Sequence, residues 1–181
     1  MTPRTFSGLY RFKSSFGMLC ALLLTGCLGM PDGVKPVQDF ELERYLGKWY
    51  EIARLDHSFE RGLQRVTAEY SKREGGGVQV INRGFDLESG EWQEAEGKAF
   101  FVGPEDEAYL KVSFFGPFYG SYVVFELGEG YEYAFVAGAN TDYLWLLSRT
   151  PEVSPALLAH FRERAESLGF DTTELITVNH L

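Results

Sequence analysis

Between Gly47 and Arg149 the chain is written as eight short runs of alternating apolar and polar residues, at about 47–56, 64–73, 77–85, 92–102, 108–115, 120–127, 131–138 and 143–149. Period-two alternation over such lengths marks strands with two unlike faces. The gaps hold turn formers. Gly75-Gly76-Gly77, Ser89-Gly90 and Gly128-Glu129-Gly130 permit positive φ, while Gly103-Pro104 and Gly116-Pro117 stop a ladder. Short connections make sequence neighbours pair in space, as an antiparallel meander. Gly47-Lys48-Trp49-Tyr50 opens the first run and Leu147-Ser148-Arg149 closes the last. If those two runs meet, the sheet has no edges and can enclose a cavity. Gly47 then makes a tight entry and Trp49 plugs one end. The Arg149 guanidinium is expected over the indole, with its donors on nearby carbonyls.

After the eighth run the period changes. Ser154 can cap a helix and Pro155 suits its first turn. Leu157, Leu158, Phe161, Ala165 and Leu168 form one apolar stripe, Arg162, Glu163 and Glu166 face water, and Gly169 ends the helix. Thr172 to Val178 reads as a last extended piece. The expected fold is all-β: an eight-stranded antiparallel up-and-down β-barrel, one C-terminal α-helix packed on its outside, and a short terminal strand.

The N-terminus is processing signal rather than fold. Arg4, Arg11 and Lys13 form a basic leader without an acid, and Phe16 to Leu24 is apolar but too short to span a bilayer as a helix. Leu24-Thr25-Gly26-Cys27 resembles the lipobox of bacterial lipoproteins, which implies acylation of Cys27 and cleavage before it. Residues 1–26 are then a removed signal peptide, 27–39 a lipidated tether and 40–181 the folded domain. Cleavage removes 26 residues and leaves 155, a single-domain length. The tether from Met30 to Asp39 carries Pro31, Gly33 and Pro36 and is polar, so the domain is expected to stay near the membrane. Leu28 in place of the Asp that usually retains such proteins at the inner membrane implies the outer membrane.

Loss of Arg4, Arg11 and Lys13 takes the formal net charge from −9 to −12. Such acidity argues against nucleic acid as a partner. Cys20 leaves with the leader and Cys27 is acylated, so no pair remains for a disulfide.

Eight strands, one amphipathic helix and a short strand is the lipocalin order. Gly47-x-Trp49 and Arg149 match that family's first and third motifs. The stretch from Leu46 to Val178 resembles the bacterial outer-membrane lipoprotein lipocalins in particular, through Trp49 to Arg54, Lys111 to Gly120 and Tyr143 to Arg149. Thr141-Asp142-Tyr143 spells the second motif, yet by strand count its counterpart is Glu129-Gly130-Tyr131. The resemblance implies non-covalent lipid binding without cofactor or metal, on a protein lipid-anchored in the outer membrane of a Gram-negative bacterium.

Parity assigns the inward residues. Trp49 inside places Glu51 and Ala53 inside, and Arg149 places Tyr143, Trp145 and Leu147 there. The apolar or small face of the middle runs offers Ala68 and Tyr70, then Val80 and Asn82, then Ala95 and Ala99. Leu110, Val112 and Phe114 follow, then Val123 and Phe125, then Tyr133 and Phe135, with Tyr122 and Val124 a rival face in the sixth run. Small residues on facing strands leave volume and aromatics give it walls, a slot for a fatty-acyl chain. Burial of about 16 methylenes offers at most about 13 kcal/mol, from which ordering costs are subtracted.

The first run ends at the open mouth, where Arg54, His57, Arg61 and Arg65 form a basic patch that can receive a carboxylate or phosphate, or simply a solvated loop. Phe118 and Tyr119 belong to a second rim segment, a lip for ligand, bilayer or second subunit. The expected partners are fatty acids or lysophospholipids, the membrane, and a second copy of the chain. Lipocalins that isomerise lipids use a cavity thiol, which the mature chain lacks in free form, and His57, His160 and His180 show no Ser or Asp at triad-like or metal-like spacing. The alternatives to carriage are an envelope structural or interaction lipoprotein without obligate ligand, or a lipid-modifying enzyme.

Overall fold

The computed structural model describes residues 28–181; the expected leader and Cys27 lie outside the described residues. A short helix α1 (Leu42–Tyr45) leads into β1 (Gly47–Leu55), β2 (Leu63–Lys72), β3 (Val78–Asp86) and β4 (Glu91–Phe101). Then come β5 (Tyr109–Ser113), β6 (Gly120–Leu127), β7 (Tyr133–Ala137) and β8 (Leu144–Ser148), followed by α2 (Pro155–Ser167) and β9 (Leu175–Thr177). Each strand pairs antiparallel with the next, and β1 pairs with both β2 (Gly47↔Tyr70) and β8 (Glu51↔Leu147). The sheet is a closed barrel, as the alternation and the short turns require. Beyond Tyr50, β1 parts from β2, and the C-terminal residues fill the gap: β9 pairs with Ala53–Leu55 while Arg65 donates its backbone N–H to Asn179.

The closed end is built on the first and last runs as expected. Trp49 is fully buried and donates through Nε1 to the Tyr45 carbonyl, 2.8 Å away. The Arg149 guanidinium lies 3.9 Å above its ring and donates to the carbonyls of Lys48, Arg44 and Tyr131. Gly47 has φ +92, a left-handed conformation that glycine adopts without penalty, and Arg149 Nη1 lies only 3.6 Å from where a Cβ would stand. Tyr131 belongs to this end too: Arg44 stacks on its ring and its hydroxyl accepts from the Glu41 N–H. Tyr143 sits at the opposite end, against Phe59 and Trp145. Strand count, not spelling, located the second motif.

Helix α2 starts where Ser154 Oγ accepts from the Leu157 N–H, and it buries Phe161 and Ala165 completely. It lies on the outer face of the barrel, where its apolar stripe meets Val123, Phe125, Phe135, Ala137, Leu144 and Leu146. Strands β6 to β8 therefore carry apolar side chains on both faces, the inner one showing Val124, Ala134, Val136 and Leu147.

Most of the segment expected as a tether packs on the barrel. Gly29 donates to Ser121 Oγ at 3.0 Å, Val34 is buried, and Val37 bridges Ala108 and Val124 through backbone hydrogen bonds. Of the expected tether 27–39, the stretch from Gly29 onward is thus laid along the barrel as far as Phe40, because the Val34, Val37 and Phe40 side chains find apolar partners there.

Candidate functional site

The barrel encloses a cavity of about 480 Å³, open at the end opposite Trp49. That volume falls in the range of small-ligand sites, about 300–1,000 Å³. Ala68, Tyr70, Val80 and Asn82 line it from β2 and β3, Ala95 and Ala99 from β4, and Leu110, Val112, Phe114 and Trp145 from the far wall and its rim. The alanines supply the room. Gly97 instead makes room for the Phe114 ring, which a Cβ there would approach to 2.8 Å. Among the polar atoms of its lining residues, Asn82 Oδ1 and Ser113 Oγ are buried without a hydrogen-bond partner among the described residues.

Six of the expected inward residues are placed elsewhere. Val123, Phe125, Tyr133 and Phe135 turn outward and pack beneath or beside α2, and Tyr122 and Val124 take the inner face of β6. With both faces of these strands apolar, alternation carried no signal for which one faced in. Ala53 is also outside, because β1 bulges between Glu51 and Ala53 and parity inverts there. Tyr143 lies in the loop before β8, where strand parity does not apply, and stacks in the rim.

The floor was not foreseen. Tyr45 from α1 and Tyr70 both hydrogen-bond the Tyr122 hydroxyl, at 2.6 and 2.9 Å. Burial, foremost, raises the pKa of all three phenols, so they stay neutral. Two hydrogen bonds consume two of three hydroxyl protons, which leaves one to donate upward. Tyr45, four residues before Trp49 and thus on its side of the turn, was the signal available.

The mouth also departs from expectation. Arg54 is not a free cation; it is almost wholly buried, donates to Glu51 Oε1 at 2.7 Å, and holds the carbonyls of Glu60 and Leu63. The bulge that ejects Ala53 swings Arg54 inward. His57 is buried rather than solvated, 3.0 Å from Glu60 and stacked on Phe59. Arg61 is exposed and paired with Asp56 at 2.7 Å. Arg65 donates to the C-terminal residue's Leu181 oxygen and lies over Phe85. Phe118 and Tyr119 do rim the cavity, Phe118 largely exposed. The three arginines are therefore engaged in building the rim.

Glu51 and Glu60 line the cavity beside Trp145, whose Nε1 donates to Glu60 at 3.1 Å. Burial, and then the neighbouring Glu60 charge, push the Glu51 carboxyl well above its usual range despite Arg54. Burial acts the same way on Glu60, but His57, Trp145 and Arg54 outweigh it and hold that carboxyl low. Because the folded chain binds the Glu51 proton more tightly than the unfolded chain, this group's contribution is full below about pH 4 and lost as pH rises through its raised folded value. Glu51→Gln lacks that loss. Urea midpoints measured at about pH 4 and about pH 8 are expected to move in the variant's favour at the higher pH; a constant difference would remove the shifted carboxyl.

A closed antiparallel barrel with an end clamp, an apolar interior and one external helix defines a lipocalin, and the chain belongs to that family: residues 40–180 match the model of the lipocalin-like domain. It is 65% identical to the outer membrane lipoprotein Blc of Vibrio cholerae serotype O1, over 92% of this chain and 98% of that one. Identity to the outer membrane lipoprotein Blc of Escherichia coli K12 is 51%, covering 87% and 90%. Among solved structures, insecticyanin from the tobacco hornworm Manduca sexta superposes with a TM-score of 0.66 at 23% identity, over 83% of this chain and 86% of that one.

Proposed function

We propose that this protein is an outer-membrane lipoprotein of a Gram-negative bacterium, acylated at Cys27, that binds fatty acids or lysophospholipids without catalysis. The observation that carries the reading is the 480 Å³ apolar cavity inside a closed barrel. The printed names of its relatives, outer membrane lipoproteins, support the location. Between the two ligand classes the rim favours the lysophospholipid. Arg54 is spent on Glu51, Arg61 on Asp56 and Arg65 on the C-terminal residue, so a bare carboxylate would meet no spare arginine among them. A head group that brings its own ammonium needs none, and Glu60 with the Phe59, Tyr143 and Trp145 rings suits one.

Native mass spectrometry of protein taken from cells tests this directly. Retained lysophospholipid is the expected result, and consistently empty protein favours a structural lipoprotein instead. Ala99→Phe fills part of the cavity toward its closed end, where Ala99 sits between its ladder partners Val78 and Val112. Each methylene excluded costs about 0.8 kcal/mol, so loss of two weakens acyl-chain binding about tenfold. Unchanged affinity in a fluorescence titration would place the chain outside the barrel.

A further inference from the structure

The position of the N-terminal segment and the distribution of exposed apolar side chains together bear on how the barrel is oriented. Gly29 lies beside Ser121, at the open-end start of β6, and beside Ala139 of the loop between β7 and β8 at the same end. The chain then descends the barrel wall, Val37 bridging Ala108 and Val124, and reaches the closed end where the Phe40 N–H meets the Asp106 carbonyl. The chain therefore enters at the mouth. Cys27 is two residues before Gly29, within about 7 Å of it by the reach of an extended backbone.

Exposed apolar bulk gathers at the same end. Of the eight large hydrophobic side chains exposed among the described residues, Phe59, Leu87, Trp92, Phe115 and Phe118 lie on the rim loops and strand ends around the opening, and Leu28 lies beside them. Phe115 is 77% exposed and Leu87 64%. Only Val102 stands at the closed end. Large apolar side chains concentrated at one end mark an interaction surface rather than singly scattered surface hydrophobics.

We infer that the mouth of the barrel is held against the phospholipid bilayer, with the rim aromatics seated at head-group depth, so that lipid passes between membrane and cavity without crossing water. Acyl chains on Cys27 and the apolar rim would act as two anchoring signals on one side of the molecule. The inference rests on the acylation of Cys27 proposed above, and on one occupant, a bilayer, for the rim.

The test uses the full acylated protein reconstituted in phosphatidylethanolamine–phosphatidylglycerol vesicles whose acyl chains are brominated. Trp92 is exposed on the rim while Trp49 is buried, so the quenching lost in Trp92→Phe isolates the rim signal from that of the cavity Trp145. Strong quenching that disappears in Trp92→Phe is expected. A Leu87→Glu, Trp92→Glu double variant is expected to take a fluorescent fatty acid from vesicles about tenfold more slowly, with affinity for the same probe added from water unchanged. Absence of Trp92 quenching overturns the orientation, whether the mouth faces away or, as sedimentation would then show, a second copy covers it. If that happens while acyl binding from water persists, lipid carriage stands alone. Quenching without any cavity ligand would keep the orientation and end the carriage reading.

Discussion

Trp49→Ala lowers the unfolding free energy by about 3–5 kcal/mol, the cost of truncating a fully buried aromatic. The ring touches two separate pieces of chain: Tyr45, through its ring at 4.7 Å and its carbonyl by way of Nε1, and the Arg149 guanidinium above. Removing it leaves Arg149 without its platform and the barrel floor without a plug, so the surroundings have little freedom to collapse into the space. Urea denaturation is expected to show an earlier midpoint at unchanged slope, since the surface exposed on unfolding hardly alters. Trp49→Phe keeps most of the ring but orphans the Tyr45 carbonyl and should fall between the two, about 1–3 kcal/mol below wild type. An unaltered midpoint for Trp49→Ala would remove the plug from the account.

The second large effect belongs to Arg54. Arg54→Met is expected to cost about 3–5 kcal/mol, because it strands the buried Glu51 carboxyl and two backbone carbonyls of the rim loop at once. Hydrogen exchange should rise first in residues 56–63, which Arg54 ties to the barrel wall. Combining Arg54→Met with Glu51→Gln relieves the charge but not the carbonyls, so the double variant should recover part of the loss. Equal destabilisation in both would mean that the ion pair contributes nothing and that the loop carbonyls account for the whole effect. Thermal unfolding of the three proteins decides between these.

These two residues illustrate how far the chain could be read in advance. Trp49 and Arg149 were legible because their roles follow from where runs begin and end: closure of the meander brings the first strand to the last. Arg54 was legible as a cation near the mouth but not as a buried one. Its fate turns on the single extra residue at Ile52, which alternation does not reveal. The inner face was readable on β2 to β5, whose outer side meets water and so alternates in polarity, as Glu69, Gln79 and Glu96 do outside while Ala68, Val80 and Ala95 face in. On β6 and β7 it was not, because α2 covers the outside and both faces became apolar.

What the amino-acid order determined by itself was every element bounded by local chemistry: eight strands from alternation, their turns from glycine and proline, α2 from its cap and stripe, and the family from the end clamp. Only the tertiary structure decided which face of a doubly apolar strand looks inward, where the N-terminal segment runs, and which charges the rim consumes. Those outcomes depend on what packs from outside and on partners far away in sequence, such as Val37 against Ala108 and Val124 or Arg65 against Leu181. Local periodicity records the solvent a strand face meets, and it falls silent wherever protein has taken the solvent's place.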